Sequence, residues 1–365
     1  MNTANPAAHT DLLVPARAVY LRQTTRRLLA GGVLLCALLA LSLFALGRGS
    51  YPLPVSEVLA ALQAGPEAQG PAAHVVWFLR LPRLLAAMLA GMALALAGTV
   101  MQTALRNPLA SPLTLGVSQG AAFGATCAIV LLGAGEMRRL GPDAVVIHEP
   151  ALVVAAALAG GLGVAGLILF IALLRGLRPE ALVLAGVALG AFASAGTMLV
   201  QYFADEVQVA ATLFWTFGDL SKAGWREVAW LAAVTLPLLL WLVSLAWRFN
   251  ALAWGEDSAR ALGVAVGRLR LGGLAAASTL AAVATAFLGV IGFVGLIAPH
   301  LVRLAIGADH RYLLPYAALT GAIVLLAADT LGRLVIAPAV LPVGAVTALL
   351  GAPMLLALLL RWRMH

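Results

Sequence analysis

Charge is scarce in this sequence. Charged residues make up only 10% of its 365 positions, against about 25% in an ordinary globular domain. Hydrophobic residues make up 62%, and the mean hydropathy is +1.00. The apolar residues occur in runs of about 18 or more, the length that a helix needs to cross a bilayer. The composition therefore excludes a disordered chain, argues against a water-soluble fold and indicates a polytopic membrane protein.

Cysteine and lysine are equally rare. The two cysteines, Cys36 and Cys127, both lie inside apolar runs and form neither a disulfide framework nor a metal-ligand pattern. The single lysine, Lys222, does not stand in a GxxxxGKS/T context, so the chain has no P-loop. Ser-His-Asp, HExxH and CxxC arrangements are also lacking. We expect no enzyme activity, no bound metal and no cofactor in this chain, so any ATP hydrolysis must come from another subunit.

Acidic residues are nearly lacking inside the hydrophobic segments. Asp329, near the end of the ninth segment, is the one acid that we place within a span, since Glu227, at the first position of the sixth, is counted with the outer loop. Ion-coupled transporters usually carry ionisable residues inside the bundle, so this scarcity argues against a built-in proton or sodium relay. Arg333 follows Asp329 by four residues, which predicts a structural i,i+4 ion pair.

The hydrophobic runs predict ten membrane spans in a single permease domain, residues 28–363, after a polar tail, residues 1–27. The stretch Gly47–Leu81 is predicted to be a loop with a short interfacial helix. The spans are placed at 28–46, 84–104, 113–133, 151–174, 181–203, 227–247, 271–289, 291–306, 312–332 and 343–360.

The basic residues test this topology. Alternating the ten spans places 15 of the 23 basic residues on the side of the N-terminus and 8 on the other. The second group includes Arg138 and Arg139, in a loop that also holds Glu136 and Asp143. Because short cytoplasmic loops carry the excess of arginine and lysine, we expect both termini, including Arg361 and Arg363, in the cytoplasm.

Small residues recur at helical spacing in two segments. Gly116, Gly120 and Gly124 form one face, and Gly186, Gly190 and Ser194 form another. Such faces let neighbouring helix backbones approach closely. Tight structural packing is the first interpretation, and the alternative is that a face lines a pathway or allows helices to slide.

A glycine-rich stretch precedes a proline in the eighth predicted span. Glycines recur every three residues in Gly289–Gly295, and the following Leu296–Arg303 contains Pro299 and His300. Irregular backbone at membrane depth is tolerated where protein or a cavity satisfies its polar groups, so we expect a broken or short helix buried in protein. We interpret His300 as a hydrogen-bonded structural residue, with a haem or metal ligand as the alternative.

The loop Asn250–Arg270 carries the signals of a short helix. Glu256, Asp257 and Ser258 supply N-cap and first-turn chemistry, and Gly263 is a C-terminal stop. From the residues alone the helix is either a passive interfacial element or a docking surface, since a long loop with its own helix usually has a partner.

Taken together, the motifs resemble the FecCD family of ABC-importer permeases over about residues 77–363, in order and at family spacing. They are Arg80-Leu-Pro-Arg83, Gly98 with Gln102, Arg106-Asn-Pro-Leu-Ala-Ser-Pro112, Leu115-Gly-Val-Ser-Gln-Gly-Ala121, the loop around Gly263, Gly292-Phe-Val-Gly-Leu-Ile-Ala-Pro-His300 with Arg303, Asp309-His-Arg311, Asp329 with Arg333, Leu341-Pro-Val-Gly344 and Gly351-Ala-Pro353.

The resemblance implies an all-α bundle of about ten transmembrane helices, like that of the cobalamin-importer permeases. It also implies a homodimer or close heterodimer in the bacterial inner membrane, with the translocation path between the subunits. Two cytoplasmic ATPase subunits, which use ATP and magnesium, and a periplasmic substrate-binding protein complete such importers. No nucleic acid is involved, so the net charge of +8 reflects membrane topology.

The resemblance assigns a role to several groups of residues. The coupling helix, within 251–270, comprises Glu256, Asp257, Ser258, Ala259, Arg260, Ala261, Leu262 and Gly263. Arg80, Arg83 and Arg333 match arginines that meet glutamates of the binding protein, with membrane-surface snorkelling as the alternative. The gating element, Leu182 to Asp219, includes Gly186, Gly190, Ser194, Gln201 and Phe203. Structural motif positions are Arg106, Asn107, Pro108, Gly116, Gly120, Pro299, His300 and Arg303.

The expected cargo is a bulky iron chelate, siderophore or haem, with cobalamin as the next candidate. Glycines and alanines near the path leave room for such a cargo but carry no chemical code for it. Asp219 departs from the small residue that is commoner in the family. An ion-coupled secondary transporter is the rival function, and a purely structural membrane protein is a third.

Overall fold

The chain is helical throughout its described part. The computed structural model describes residues 7–49, 51–134, 149–336 and 339–362. The predicted outer-loop residues Glu136, Arg138, Arg139 and Asp143, together with Arg363, lie outside these ranges. Within them the one β feature is an isolated bridge between Phe217 and Val290.

Fourteen α-helices follow one another along the described residues. They are α1 (Ala7–Gly47), α2 (Val55–Ala64), α3 (Pro71–Ala104), α4 (Val117–Val130), α5 (Pro150–Leu174), α6 (Pro179–Tyr202), α7 (Glu206–Thr216), α8 (Trp225–Ser244), α9 (Ala246–Ala253), α10 (Glu256–Ala261), α11 (Val266–Leu288), α12 (Val294–Ile306), α13 (His310–Leu334) and α14 (Val343–Trp362).

Seven of these helices are long and apolar enough to cross a membrane: α1 from Gln23, α3, α5, α6, α8, α11 and α13. They confirm a polytopic all-α fold. The other three predicted spans coincide with α4, of 14 residues, α12, of 13 residues, and α14. The count of ten spans therefore stays a prediction.

Two boundaries differ from the sequence prediction. The N-terminal tail is helical from Ala7, so α1 runs without interruption into the first span. The predicted loop Gly47–Leu81 does contain a short helix, α2, but its predicted end is wrong, because α3 begins at Pro71 and includes a π-helical turn over Val75–Arg80. That turn lies directly before Pro82. A proline removes one backbone donor and crowds the preceding turn, and the wider turn before Pro82 lets the helix continue through it.

Helix α3 forms the centre of the bundle. Of its most hydrophobic 18-residue stretch, 83% is buried, compared with 11% for α1 and 17% for α6. It packs against α11, α12 and α13. The outer helices therefore present their apolar side chains outward, as expected where lipid or another membrane subunit covers them.

Two glycines of α3 allow this packing. A Cβ atom at Gly98 would overlap the carbonyl group of Gly295 in α12, and one at Gly91 would overlap the carbonyl group of Gly321 in α13. Backbone therefore lies directly on backbone at both crossings, which is the arrangement that small residues permit in membrane bundles.

A polar junction ties α1, α9 and α13 together at one end of the bundle. The Asp309 carboxylate accepts hydrogen bonds from Asn250 at 2.8 Å and from Arg311 at 2.7 Å, and it forms an ion pair with Arg27 at 3.4 Å. His310 extends the junction to α3 through a 2.8 Å contact with Thr103. Burial raises the pKa of Asp309, but the hydrogen bonds from Arg311 and Asn250 outweigh it and bring the pKa to about 2.

We predict that Gly98→Ala destabilises the bundle by about 1–3 kcal/mol, because the added methyl group must force α3 and α12 apart. Thermal unfolding of the purified protein in detergent measures this. Gly163→Ala is the matched control, since Gly163 in α5 has no atom within 4 Å of an added Cβ. Equal effects of the two substitutions would contradict the close crossing.

We predict that Asp309→Asn destabilises the protein by about 2 kcal/mol at neutral pH, the free energy that corresponds to its lowered pKa. A carboxylate whose pKa is depressed on folding stabilises the protein above its ordinary pKa of 3.8, and this contribution is lost as the pH falls towards about 2. Denaturant titrations in detergent at several pH values should therefore show the wild-type advantage shrink between pH 4 and pH 2. A difference independent of pH would contradict the ionised junction.

Candidate functional site

The short helix predicted in the loop Asn250–Arg270 is confirmed as α10. Gly255 and Gly263, with φ of 118° and 77°, flank it, a backbone region that favours glycine. The N-cap residue is Gly255, so Ser258 lies inside the helix instead of capping it. Trp254 and Leu262, next to the two ends, are 84% and 73% exposed. The element thus projects apolar side chains that the described residues do not cover.

Glu256 anchors this exposed helix to the bundle. One carboxylate oxygen accepts a 2.5 Å hydrogen bond from Arg270 of α11, and the other accepts a 2.9 Å hydrogen bond from Arg260. The hydrogen bond from Arg270 is the main cause that lowers the pKa of Glu256, and Arg106 contributes through its charge. Glu256 is therefore ionised at physiological pH.

Arg270 joins α10 to two further elements. Its side chain is only 3% exposed, and it donates hydrogen bonds to the carbonyl of Ala104 at 2.9 Å and to that of Leu177 at 2.7 Å. These are the C-terminal end of α3 and the turn between α5 and α6. One guanidinium group thus connects the exposed helix, the central helix and the predicted gating helix. This role has no local signal in the sequence, because Leu177 and Ala104 lie 93 and 166 residues from Arg270 along the chain.

The motif Arg106-Asn-Pro lies next to this connection, directly after Ala104. Arg106 has a φ of 49°, and the Asn107 side chain accepts a 2.9 Å hydrogen bond from the Leu109 amide. The Asn107 amide donates to the Gln102 carbonyl at 3.1 Å. The motif therefore ends α3 in a tight turn directly before the residues that lead into α4.

The predicted broken helix is confirmed between α11 and α12. Residues 289–293 are non-helical, and Phe293 has a left-handed φ of 65°. Two other non-helical segments lie beside them. Phe217 forms the isolated β-bridge with Val290, and the Asp219 amide donates to the carbonyl of Leu288, the last residue of α11, at 2.9 Å. The Val343 amide in turn donates to the Gly218 carbonyl at 2.8 Å. These bonds satisfy irregular backbone inside the bundle, as a membrane interior requires.

Asp219 itself has a local structural contact. Its carboxylate accepts hydrogen bonds from the amide and the hydroxyl of Ser221, at 2.8 and 2.5 Å. The side chain therefore caps the short 3₁₀ turn Leu220–Lys222. This accounts for an acid where the sequence resemblance leads one to expect a smaller residue.

The three motif residues of α12, Pro299, His300 and Arg303, differ in their surroundings. Arg303 donates a hydrogen bond to the Gln102 side chain, whose amide donates to the Gly295 carbonyl at 3.1 Å. Pro299 is buried. The hydrogen bond predicted for the His300 side chain is not seen at its Nε2, which is buried without a partner among the described residues. Those residues also contain no cluster of three or more histidine, cysteine or acidic side chains able to hold a metal.

The predicted small-residue faces are packing faces. Gly116 lies against α6, where a Cβ atom would come within 2.9 Å of the Gly186 carbonyl and 3.0 Å of the Gly190 Cα. Gly120 lies against Gly160 of α5, where a Cβ atom would come within 2.6 Å of the carbonyl oxygen. The glycines therefore hold α4 close to both α5 and α6.

The other predicted gating residues do not share one place. Ser194 and Gln201 line a cavity of about 240 Å³ between α4 and α6, together with Gln119, whose side-chain oxygen has no hydrogen-bond partner in the described part of the chain. Phe203, just after α6, is 78% exposed. The cavity is small, and both helices contribute polar side chains to its lining.

The three predicted docking arginines gather at the opposite end of the bundle. Arg83 donates to Asp329 at 2.7 and 2.9 Å, and Arg333 donates to it at 3.1 Å, which confirms the predicted i,i+4 pair. Arg80 is buried and donates to the carbonyls of Leu46, at 2.6 Å, and Tyr51. All three guanidinium groups thus have partners inside the chain, and their contact with a binding protein stays a prediction.

The two charged ends agree with the predicted alternation of spans. Arg80 and Ala104 are 24 residues apart on α3, which corresponds to about 36 Å of helix. Arg27, Glu256 and Asp309, all assigned to one side, lie at the Ala104 end. Arg333 and the exposed Arg48 lie at the Arg80 end.

Comparison with known proteins identifies the family to which this fold and these motifs belong. The FecCD transport family matches residues 36–361. An ABC transporter permease protein of Methanocaldococcus jannaschii is 49% identical over 342 residues, 94% of this chain and 97% of that protein. The vitamin B12 import system permease protein BtuC of Escherichia coli O17:K52:H18 is 40% identical over 344 residues, 93% of this chain and 96% of that protein.

A further relative and a solved structure agree. The hemin transport system permease protein HmuU of Yersinia pestis is 43% identical over 182 residues, 50% of this chain and 54% of that protein. A solved inward-facing structure, assigned to the metal-chelate type of ABC transporters, has a TM-score of 0.78 at 32% identity and covers 91% of this chain and 99% of its own. The chain therefore belongs to the FecCD transport family and is a permease of the type II ABC importers, a family of transport subunits rather than enzymes.

Proposed function

We propose that this permease imports a bulky iron chelate, a siderophore complex or haem, with energy from ATP. The printed functions of the relatives, hemin transport and vitamin B12 import, support a large metal chelate as the cargo class. Cobalamin is the second candidate, favoured by the match to BtuC over 93% of this chain. The cargo moves from the periplasm to the cytoplasm of a bacterial inner membrane.

The Glu256–Arg270 connection is the observation that carries the mechanism. In the proposed importer, a cytoplasmic ATPase subunit seats on α10 and moves it during ATP hydrolysis. Because Arg270 also holds Ala104 and Leu177, a displacement of α10 is transmitted to α3 and to the start of α6. Rocking of α6 then opens or closes the path.

The proposed assembly contains two permease subunits, two ATPase subunits and one binding protein. The exposed apolar side chains of α6, among them Leu184, Phe192 and Tyr202, suit contact with a second permease subunit. The path then runs between the two copies of α6. Both termini lie in the cytoplasm in this proposal, with the α10 end on the ATPase side.

Reconstitution in liposomes tests this function. The permease, the ATPase and the binding protein encoded with it are assembled, and uptake of haem, a ferric siderophore and cobalamin is measured with and without ATP. We expect uptake that requires ATP and the loaded binding protein and persists when a protonophore removes the proton gradient. Uptake by the permease alone on an ion gradient would overturn the proposal in favour of a secondary transporter.

We predict that Glu256→Gln lowers ATP-driven uptake about tenfold or more, since a hydrogen bond between charged groups contributes about 1.5–3 kcal/mol. The amide keeps the size of the side chain but loses the ionic bond to Arg270. Asp257→Asn is the matched control, because the Asp257 side chain is fully exposed and, among the described residues, pairs only with Arg260, at 3.3 Å. ATPase binding should survive in both variants. Normal uptake by Glu256→Gln would contradict the proposed transmission.

We predict that Arg48→Gln weakens binding-protein docking about two- to fivefold, as expected for an exposed ion pair. Arg48 is the exposed arginine beside the buried pairs of Asp329, whereas replacing Arg80, Arg83 or Arg333 would also disturb the fold. Surface plasmon resonance at low and high salt measures the loss, with Arg226→Gln as the exposed control at the same end. If the variant binds the binding protein with unchanged affinity at low salt, this end of the bundle is not the docking site.

A further inference from the structure

A second, larger cavity lies beside α10, away from the proposed path. It has a volume of about 700 Å³ and opens between α8, α9 and the link from α10 to α11. Its size falls in the range of about 300–1,000 Å³ that is common for ligand sites. The main lining residues are Trp241, Trp247, Arg248, Leu262, Arg268 and Leu269.

One part of this groove is aromatic and apolar. Trp241, near the end of α8, lies against α11 at Gly272, where a Cβ atom would be 3.3 Å from the indole ring. Trp247, on α9, is 66% exposed, and the Arg311 guanidinium lies 4.5 Å from its ring centre. Tryptophan is enriched where membrane-spanning helices reach the headgroup region. The groove therefore lies at the boundary between the apolar span and water.

The other part of the groove is basic. Arg248 and Arg268 are both exposed, and neither forms a hydrogen bond or ion pair with a described residue. None of the described lining residues is acidic. Nearby arginines differ in this respect, since Arg260 and Arg270 are both paired with Glu256. Two uncompensated guanidinium groups thus line one small cavity.

We propose that this groove binds an anionic phospholipid. Guanidinium groups bind phosphate through paired hydrogen bonds, and basic pockets between membrane-spanning helices bind lipid headgroups. The phosphate lies between Arg248 and Arg268, and an acyl chain follows Trp241 and Leu269 towards the bilayer. A bound anionic lipid also explains why two tryptophans and two arginines line the same groove, since packing between helices requires only apolar side chains.

The position gives the lipid a mechanical role. Leu262 and Gly263, at the C-terminal end of α10, form part of the wall. A bound lipid therefore supports the link between α10 and α11. This inference rests on lipid binding alone and does not require a particular cargo or the import function.

Fluorescence quenching tests the proposal. The purified permease is placed in phosphatidylcholine vesicles that contain increasing fractions of brominated phosphatidylglycerol or of brominated phosphatidylcholine, and tryptophan emission is recorded. We expect the fraction of brominated phosphatidylglycerol that gives half-maximal quenching to be about one fifth, or less, of the fraction of brominated phosphatidylcholine that does so. One arginine near a membrane contributes about a fivefold preference for an anionic lipid. Trp241→Phe should reduce the amplitude of this lipid-specific quenching.

Matched variants separate this site from general attraction of a basic protein. The double variant Arg248→Gln with Arg268→Gln should lose the preference, and the pair of lysine substitutions at the same positions should keep most of it. Arg175→Gln with Arg178→Gln removes the same charge from exposed arginines at the same end and should keep the preference. Loss of the preference in that control pair as well would overturn the proposal.

Three further results would also overturn it. Equal quenching by the two brominated lipids would show that no anionic headgroup is selected. Release of the brominated anionic lipid by inorganic phosphate would assign the groove to a free anion. Loss of the preference on addition of the ATPase subunit would assign it to a protein contact.

Discussion

The buried guanidinium of Arg270 is the contact on which the rest of the account depends. A buried cation is costly unless all its donors have acceptors, and here they reach Glu256, Ala104 and Leu177. The requirement to satisfy this one group fixes the exposed α10 relative to the central helix and to the start of α6. A surface helix thereby becomes part of the same rigid unit as the membrane-spanning core.

Around this connection the fold combines closely packed helices with a non-helical segment. Gly98 and Gly91 bring α3 into direct backbone contact with α12 and α13, so the centre has little freedom to deform. Residues 289–293 instead form a non-helical junction, in which Val290 pairs with Phe217 and the neighbouring Leu288 carbonyl accepts a hydrogen bond from the Asp219 amide. Helix α6 packs chiefly against α4 and α5, so beyond its anchored start it can move without deforming the centre, which suits the proposed path at the periphery of each subunit.

Local patterns predicted much of this from the sequence. The apolar runs, the short helix before Gly263, the broken helix at Gly289 and the pair Asp329–Arg333 each depend on neighbouring residues, so spacing sufficed. Long-range contacts were missed, because nothing near Arg270 in the chain shows that it meets Ala104, 166 residues away, and nothing near Arg83 shows that it meets Asp329. The early start of α3 was also missed, since four prolines and two glutamates before Trp77 indicated a loop where a π-helical turn continues the helix.

Pulsed electron–electron distance measurements test the transmission most directly. Spin labels are placed at Ser258→Cys in α10 and Gly176→Cys beside Leu177, in a background with Cys36 and Cys127 replaced by serine, and the assembled importer is examined without nucleotide and with trapped ATP. If Arg270 transmits the motion, this distance stays constant between the two states and becomes variable when Arg270 is replaced by methionine. A distance that changes with nucleotide in the unaltered protein, or that stays constant without Arg270, would contradict this transmission.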